Sequence, residues 1–356
     1  MKTTAFINEQ LNDIVPPLLK WFAENARDLP WRQNREPYRV WLSEIMLQQT
    51  RVEAVKPYYA RFLAALPDIH ALSTCDHDVL MKLWEGLGYY SRARNLQKAA
   101  QQITEQFGGE FPRSYEEIRS LSGIGDYTAG AIGSICFDLP EPAVDGNVLR
   151  VYTRLLCDAR CTDDTAVRKD IRDRLRIVYA DTPEHQRGTL TQALMELGAT
   201  VCVPNGAPHC AVCPLASRCE ARKTERISEY PVRKQKKARR TEEYTVYILQ
   251  CGDRIAVRKR PRTGLLAGLW ELPHLDGKTE AQAALDAAAD WHTGAAEIVS
   301  QRNCVHIFTH IEWHMTAVHL LVTKMPDCFL WVTPEQLASE ISLPTAFRIC
   351  LPESII

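Results

Sequence analysis

The chain has 356 residues, of which 46% are hydrophobic and 24% charged, and its formal net charge is −1. This length is too great for one ordinary core, so we expect two globular domains. The near-zero charge neither supports nor forbids nucleic-acid binding, because a local basic face suffices for it. No segment resembles a membrane span or a signal peptide, so we expect a cytoplasmic protein with no membrane partner and with reduced cysteines.

Helical periodicity dominates the first 227 residues. Residues 37–55 (PYRVWLSEIMLQQTRVEAV) predict one buried helix. Residues 91–112 predict another, which the Gly-Gly pair and the proline near its end would stop. Ser114 and Glu117 have the spacing of a capping box, so a further helix should begin there.

A glycine-rich turn follows in residues 121–130 (LSGIGDYTAG). One helix should end at Leu121, Gly123 and Gly125 should form a tight turn, and a second helix should begin near Asp126. Outward N–H groups of such a hairpin can bind a DNA phosphate. A purely structural connection between two helices has the same pattern.

Four cysteines cluster near the end of the helical region, separated by seven, two and five residues: Cys202, Cys210, Cys213 and Cys219. Disulfides are not expected in a reducing compartment. Four thiolates satisfy either zinc or an iron–sulfur cluster, and the spacing alone does not choose between them. Four thiols without a metal are the remaining alternative.

The pattern changes after the cysteines. Residues 228–241 predict an exposed linker, with six basic residues among the eight from Arg233 to Arg240, facing either solvent or DNA. Beyond it, strands are predicted in four segments: residues 244–251, 254–260, 304–322 and 328–334. Residues 242–356 should therefore form a second domain of the α+β class.

Several motifs resemble a known family. LSGIGDYTAGAI followed by VDGNVLR resembles the helix–hairpin–helix DNA glycosylases, and the cysteine run resembles the iron–sulfur loop of their endonuclease III branch. LPWR, PYRVWLSEIMLQQT, LWEGLGYYSRARNL and ALMELGA resemble the adenine DNA glycosylases of the MutY family, which also carry a C-terminal domain like the Nudix protein MutT. The likeness covers essentially the whole chain. It departs at the first cysteine gap, which has seven residues where the family usually has six.

The resemblance implies the fold class and the cofactor. A mostly α helix–hairpin–helix glycosylase domain should span residues 1–227, with a 4Fe–4S cluster held by the loop at 202–219. A Nudix-like α+β domain should follow. Residues 283–294 (AALDAAADWHTG) stand where a Nudix hydrolase needs clustered glutamates for Mg²⁺, so we expect a recognition module there.

Cleavage of an N-glycosidic bond needs an acid for the leaving base and a group that stabilises an oxocarbenium-like sugar. Glu44 lies among apolar residues, where burial would raise the pKa of a carboxyl and keep it protonated; an exposed helix edge is the alternative. By resemblance, Glu44 protonates adenine N7, and Asp145, kept ionised by hydrogen bonds from its turn, stabilises the sugar. Asp145 alone also fits a helix N-cap. Asn147 and Tyr127 match family positions that assist Asp145 and water.

Tyr127 also stands where bifunctional relatives carry the lysine that forms a Schiff base, which tyrosine cannot form. We therefore expect base removal without efficient strand cleavage. The resemblance implies an adenine pocket made of Arg27, Trp31, Arg32 and Glu196. It implies contacts with the duplex or the opposite base at Gln49, Thr50, Leu87, Tyr89, Gly123, Gly125, Phe308, Thr309 and His310. DNA-backbone candidates beside the cysteines are Arg218, Arg222, Lys223 and Arg226.

The combined prediction is a monofunctional adenine DNA glycosylase that flips adenine out of double-stranded DNA when it is paired with 8-oxoguanine or guanine. We expect a monomer at the bacterial nucleoid. Two alternatives stay open at this point. One is a glycosylase for thymine or uracil opposite guanine, and the other is a lesion-binding protein without catalysis.

Overall fold

The computed structural model describes residues 9–235, 238–353 and 355, so Lys236 and Lys237 of the predicted basic linker lie outside the described residues. The chain divides into two compact units. The first comprises the chain up to Thr74 together with Arg94–Gln235, and the second comprises Cys75–Ala93 together with the chain from Lys236 onwards. Residues 75–93, which lie within the predicted N-terminal domain, thus group with the C-terminal unit.

The chain is helical from Val15 to Lys223. The helices are α1 (Val15–Asn25), α2 (Pro37–Leu47), α3 (Val52–Ala65), α4 (Ile69–Thr74), α5 (His77–Leu83), α6 (Ser91–Phe107), α7 (Tyr115–Ser120), α8 (Asp126–Phe137), α9 (Gly146–Leu156), α10 (Thr165–Asp181), α11 (Glu184–Thr200) and α12 (Glu220–Lys223). Of these, α5 belongs to the second unit, and the boundary between the units falls within α6.

The prediction of one helix over residues 37–55 was wrong, because α2 ends at Leu47 and α3 begins at Val52. Gln49 lies between them with a φ of 57°, in the left-handed region that ends a helix. The apolar periodicity continues across this break, and neither glycine nor proline marks it. The break places Gln49 and Thr50 in a turn instead of on a helix face.

The other helical predictions are confirmed. A single helix, α6, occupies most of residues 91–112. Ser114 caps α7, since its hydroxyl accepts a hydrogen bond from the Glu117 amide at 3.3 Å. α7 ends just before Leu121, and α8 begins at Asp126, so the predicted hairpin is present.

The core of the first unit positions α9 against α11. Leu149 and Tyr152 of α9 share one buried cluster with Leu194 and Leu197 of α11. The two helices approach closely because residue 198 is glycine: an added Cβ there would lie 2.5 Å from the Cβ of Asn147. This close approach brings the start of α9 and the end of α11 to the same place.

The second unit contains a mixed seven-stranded sheet. Its strands are β1 (Arg240–Cys251), β2 (Arg254–Lys259), β3 (Trp270–Glu271), β4 (His274–Asp276), β5 (Ala296–Ile307), β6 (Ile311–Val322) and β7 (Leu330–Val332). The main order is β3-β2-β1-β6-β5, with β4 beside β1 and β7 beside β2. β1 and β6 are parallel, and the other pairs are antiparallel.

Both faces of this sheet are covered. Along β1, Val246 and Ile248 pack in one cluster with residues of α14 (Pro334–Ser339) and α15 (Thr345–Arg348), whereas Tyr247 and Leu249 pack with α13 (Ala281–Asp290). This alternation follows from the two-residue repeat of a strand. The predicted strand region 304–322 contains the end of β5, a turn at residues 308–310, and β6. Across the described residues, no helix has the length and hydropathy needed to cross a bilayer.

Candidate active site

The first unit contains a cavity of about 660 Å³ lined by parts of α2, α8, α9 and α11. It brings together the predicted catalytic residues, the predicted adenine-pocket residues and two predicted DNA contacts. These are Glu44, Tyr127, Asp145, Asn147, Arg27, Trp31, Arg32, Glu196, Gln49 and Thr50. Residues from distant parts of the sequence therefore meet at one place.

Glu44 lies on α2 and is only 7% exposed, so it does not occupy an exposed helix edge. Burial raises its pKa to about 7, since the charged carboxylate loses hydration there. The Tyr127 hydroxyl donates a hydrogen bond to Glu44 Oε2 at 2.5 Å, and this contact acts in the opposite direction. The nearby charge of Asp145 raises the pKa further, and that of Arg32 lowers it. Glu44 can therefore hold a proton near neutral pH.

Tyr127 stands in the first turn of α8, directly after the hairpin. Burial raises its pKa well above 10, and the charges of Glu44 and Asp145 add to this. The phenol therefore stays neutral and remains a hydrogen-bond donor. No amine is present at this position that could attack a sugar.

Asp145 both lines the cavity and caps α9. Its Oδ1 accepts from the Val148 amide at 2.8 Å, and its Oδ2 accepts from Asn147 Nδ2 at 2.7 Å. Both bonds favour the ionised form, as the sequence predicts. Burial nevertheless has the larger effect, so the pKa of Asp145 lies above its ordinary value. The N-cap and the cavity position are properties of one carboxylate, not alternatives.

Arg150 was not singled out by the sequence analysis, although it organises this end of α9. Its side chain is buried, and its Nη2 donates to Asn147 Oδ1 at 2.8 Å and to the Gly198 carbonyl at 2.6 Å. Its Nε donates to the carbonyl of Cys202 at 2.6 Å. Because Arg150 holds the amide oxygen of Asn147, the amide nitrogen faces Asp145. The sequence did contain a sign of this role: Arg150 lies three residues after Asn147, between the apolar residues Leu149 and Val151, where a charged side chain needs a buried partner.

A second carboxylate in the cavity has the opposite environment. Glu196 is 1% exposed and accepts from Arg27 Nε at 2.7 Å and from Arg32 Nη2 at 2.8 Å. Burial alone would raise its pKa, but the two guanidinium groups outweigh burial and lower the pKa to about 2. Trp31 lies beside this group, with its ring edge-on to Tyr59 at 5.5 Å. Glu196 is thus a permanently charged anchor for two arginines.

The cavity lining also includes Arg233, from the predicted linker. The Val232 carbonyl accepts from the Thr162 amide at 3.0 Å, and the Lys234 amide donates to Asp163 Oδ2 at 2.9 Å. These bonds hold residues 232–234 against the first unit. Other cavity residues that sequence analysis did not select are Arg168, Gln192 and Met195.

The hairpin glycines do not line the cavity. Gly123 has a φ of +75°, and an added Cβ would lie 2.6 Å from the Cβ of Asn95, so both its conformation and its surroundings require glycine. Gly125 is the N-cap of α8, where an added Cβ would meet nothing within 4 Å. The turn therefore packs against Asn95 at Gly123 and faces open space at Gly125.

The remaining predicted DNA contacts lie in the second unit. Leu87 is buried, whereas Tyr89 is 45% exposed and has a φ of 46°. Phe308, Thr309 and His310 form the turn between β5 and β6. The Tyr89 hydroxyl and Thr309 Oγ1 form a hydrogen bond at 2.5 Å, so two segments predicted to read the duplex contact each other.

The four clustered cysteines line one small cavity together with Arg154. Arg154 Nη1 donates to Cys202 Sγ at 3.3 Å, and Cys219 Sγ lies 3.4 Å from the Arg154 carbonyl oxygen. Within residues 9–235 and 238–353, no three His, Cys, Asp or Glu side chains are placed to hold a single metal ion. The four thiols lie around one cavity, and an all-thiol donor set of this kind fits a thiolate-bound group such as zinc or an iron–sulfur cluster.

The basic residues beside the cysteines differ in their surroundings. Arg222 lines the cysteine cavity, and the Arg218 carbonyl accepts from Gln10. Lys223 pairs with Glu220 at 3.0 Å, and Arg226 pairs with Glu229 at 2.6 Å. Two of the four predicted backbone contacts are thus partly neutralised by acidic neighbours.

Known proteins match both units of the chain. Residues 42–176 match the HhH-GPD superfamily base excision DNA repair protein family, and residues 244–353 match the NUDIX domain family. The adenine DNA glycosylase of Homo sapiens is 32% identical over 401 residues, which cover 93% of this chain and 73% of that protein. The chain belongs to the adenine DNA glycosylase family.

Two further relatives carry the same description. The adenine DNA glycosylase of Buchnera aphidicola subsp. Acyrthosiphon pisum is 35% identical over 74% of this chain and 75% of the relative. That of Arabidopsis thaliana is 36% identical over 90% of this chain, but the match spans only 59% of the longer plant protein. The predicted family is confirmed.

A solved thermostable thymine-DNA glycosylase superposes on this chain with a TM-score of 0.54 at 24% identity, covering 61% of this chain and 98% of that one. At this identity the similarity concerns the fold alone. Together with the two family matches, it confirms the predicted combination of a helix–hairpin–helix unit and a Nudix-like α+β unit.

Proposed function

We propose that this family member hydrolyses the N-glycosidic bond of adenine mispaired with 8-oxoguanine or guanine in double-stranded DNA. The observation that carries the proposal is that Glu44, with a pKa of about 7, and Asp145 line one cavity. A base inside a duplex is beyond the reach of such a cavity, so the adenosine must flip out of the stack. The carboxyl pair then lies on either side of the bond to be broken.

Glu44 acts as the acid. At neutral pH about half of the molecules carry a proton on a group with this pKa, which suits proton transfer to adenine N7. Protonation turns a poor leaving group into a neutral base that can depart. The Tyr127 hydroxyl holds the carboxyl in one orientation and stays neutral throughout.

Asp145 acts in its ionised form and stabilises the positive charge that develops on the sugar. Asn147 and the Val148 amide fix its two oxygens, and Arg150 fixes Asn147 in turn. Water completes the reaction and leaves an abasic site. Because Tyr127 supplies no amine, we infer that the enzyme lacks an efficient strand-cleavage step.

The Arg27, Arg32 and Glu196 group forms the wall of the adenine pocket, next to Trp31. Its role is positional, since Glu196 with a pKa of about 2 carries no proton to donate at neutral pH. Gln49 and Thr50 lie on the lining of the same cavity and fit contacts with the opposite strand. Leu87 fits a contact with the base opposite adenine, and Gln49 and Tyr89 fit the wedge that fills the place of the extruded base.

We assign residues 242–356 to recognition of 8-oxoguanine through the turn of Phe308, Thr309 and His310. The helix α13 in this Nudix-like unit carries Asp286 and Asp290 as its acidic residues, which is a weak donor set for the Mg²⁺ of a nucleotide hydrolase. We infer that this unit binds the lesion without cleaving a nucleotide.

Cys202, Cys210, Cys213 and Cys219 would hold a 4Fe–4S cluster. When bound, such a cluster cross-links the loop after α11, and base removal requires no electron transfer from it. The carbonyl of Cys202 accepts from Arg150, so the loop also supports the Asp145 and Asn147 pair. With DNA as its substrate, we place the protein at the nucleoid in the bacterial cytoplasm, acting as a monomer.

A single-turnover comparison of four duplexes tests the function. We expect excision of adenine from A:8-oxoguanine and A:G, and none of the pyrimidine from T:G or U:G. Faster cleavage of T:G would replace the proposal with the mismatch-thymine alternative. Tight binding of A:8-oxoguanine without release of any base would instead favour the non-catalytic lesion binder.

A further inference from the structure

The segment Cys75–Ala93, which carries Leu87 and Tyr89, is bonded to the end of the chain within the second unit. Lys82 lies in the last turn of α5, and its Nζ donates to the carbonyl of Ile341 at 2.9 Å. The same ammonium donates to Glu85 Oε2 at 2.8 Å. We call the contacts of Lys82 and Glu85 with residues 341–348 the Glu85 junction. On one side of it, Lys82 bonds both to the C-terminal segment and to Glu85.

Glu85 forms the other side of the junction. Its Oε1 accepts from the Leu343 amide at 2.9 Å and from Arg348 Nη2 at 2.7 Å. The side chain is 18% exposed, so water competes only weakly for these bonds. Hydrogen bonds with charged partners in such surroundings are stronger than neutral ones. Glu85 thus connects the segment after α5 to residues 343–348 through two donors, the Leu343 amide and the Arg348 side chain.

The loop that follows Glu85 has little freedom to move independently. Trp84 Nε1 donates to the Gly88 carbonyl at 3.0 Å. Arg92 Nη2 donates to the carbonyls of Leu87 at 2.9 Å and Gly88 at 3.1 Å. Because one residue separates Glu85 from Leu87 and the loop carbonyls are bonded, a displacement at Glu85 is passed on to Leu87 and Tyr89.

The far end of the loop meets the recognition turn, where Tyr89 bonds to Thr309. Residues 87–89 are therefore held by the C-terminal part of the chain at two places, the Glu85 junction and the Phe308–His310 turn. Two elements that contact one base opposite adenine must keep a fixed separation if a small chemical difference in that base is to be sensed by both.

We propose that Glu85 is a positioning residue whose bonds to Leu343 and Arg348 set the Leu87–Tyr89 loop against the Phe308–His310 turn, and thereby set the preference for 8-oxoguanine over guanine opposite adenine. The inference rests on the proposed function of the two segments. Glu44 and Asp145 belong to the first unit, so a change at Glu85 removes neither the proposed acid nor the proposed sugar-stabilising carboxylate.

The test is the Glu85→Gln variant, which keeps one acceptor oxygen and removes the charge. Single-turnover rates are measured on A:8-oxoguanine and A:G duplexes and corrected for the active fraction. We expect the ratio of the two rates to fall about fivefold or more, the lower range for coupling between two sites, with the A:G rate retained. Asp78→Asn is the matched control: Asp78 lies on the preceding helix α5 and forms an exposed ion pair with Lys259 at 2.8 Å, and loss of this pair should leave the ratio unchanged.

A second variant, Arg348→Met, removes one donor and keeps the Leu343 bond to Glu85. It should shift the ratio in the same direction by less, and the double variant should resemble Glu85→Gln alone, because both changes act on one interaction. If Glu85→Gln yields no active protein, Arg348→Met decides the question alone. An unchanged ratio, or a parallel fall of both rates, overturns the inference. Absence of adenine excision by the unaltered protein would instead overturn the proposed function.

Discussion

Two buried carboxyl groups line the same cavity, and their pKa values are shifted in opposite directions. Glu44 has a pKa of about 7, because burial raises it and the charge of Asp145 adds to this, although the hydrogen bond from Tyr127 lowers it. Glu196 is as well hidden from solvent, yet its pKa is about 2, because Arg27 and Arg32 bond to it. Burial by itself therefore does not determine which carboxyl can serve as an acid. The presence or absence of a guanidinium partner separates a proton donor from a structural anion.

The largest expected effect is on chemistry. Glu44→Gln removes the proton donor while preserving shape, so excision should slow by roughly 10²–10⁴-fold, the contribution typical of a general acid. Glu196→Gln should slow the reaction less, because Glu196 only positions the base. Single-turnover rates at neutral pH on one A:8-oxoguanine duplex give both numbers, and a Glu44→Gln enzyme with undiminished rate would contradict the assignment of the acid.

The next largest effect is on the free energy of unfolding, and it concerns the ion pairs of Glu196. Glu196→Gln leaves Arg27 and Arg32 without their anion, and breaking such a buried pair costs about 3 kcal/mol. Urea unfolding at pH 7 measures this loss. Arg39→Ala, which removes a more exposed pair with Glu36, is the control and should cost under about 1 kcal/mol. Equal costs for the two variants would show that burial of Glu196 contributes nothing.

The pH dependence of stability sharpens the contrast. The folded protein holds the proton of Glu44 between its ordinary pKa of 4.5 and about 7, so this group contributes stability below that window and loses it as pH rises through the window. Glu44→Gln should therefore stabilise the protein at pH 8 by about 3 kcal/mol and have little effect at pH 4.5. For Glu196, with a lowered pKa, the loss comes as pH falls from 4.5 towards 2. Melting curves at three pH values decide between these patterns.

The activity of the unaltered enzyme should follow the same titration. The single-turnover rate should decline as pH rises above about 7, since Glu44 loses its proton there. It should also decline in acid, where Asp145, with its raised pKa, becomes neutral. A rate that continues to increase up to pH 9 would exclude Glu44 as the donor.

The smallest expected effect concerns the cavity edge. Arg233 lines the cavity beside Gly146, whereas the neighbouring Lys234 is not among the lining residues and bonds to Asp163 through its backbone amide. Arg233→Ala should weaken DNA binding and reduce the salt dependence of log K by about one unit per lost phosphate contact. Lys234→Ala serves as the matched control. Equal salt slopes for both variants would remove Arg233 from the set of phosphate contacts.

Local patterns predicted most of the architecture. The hairpin followed from Gly123 and Gly125, the cap of α7 from Ser114, and the strands from alternating apolar residues, because each depends on a few adjacent residues. The break after Leu47 was not predictable in this way. Gln49 takes a left-handed conformation without being glycine, so no residue type in the local sequence marks the break.

The candidate catalytic residues were predicted from residue types and family resemblance, but the burial and the hydrogen bonds that position them were not. Glu44 and Asp145 could be named from motifs, whereas the charge balance around Asp145 depends on how deeply it is buried, which a local sequence does not reveal. Arg150 joins Asn147, Gly198 and Cys202, three positions spread over 55 residues of chain, and no periodicity encodes such a junction. The grouping of residues 75–93 with the C-terminal unit depends likewise on contacts between remote segments.

Gly198 shows how much one missing side chain can govern. Glu196, which we propose lines the adenine pocket, is two residues before it on α11, and Asn147, which bonds to the Asp145 carboxylate, lies directly against it. A methyl group there would drive the two helices apart and displace both halves of the reaction centre at the same time. The relative position of Glu196 and Asn147 thus depends on the absence of a side chain at residue 198 as well as on hydrogen bonds. A single substitution at this contact between α9 and α11 should therefore disturb the whole site.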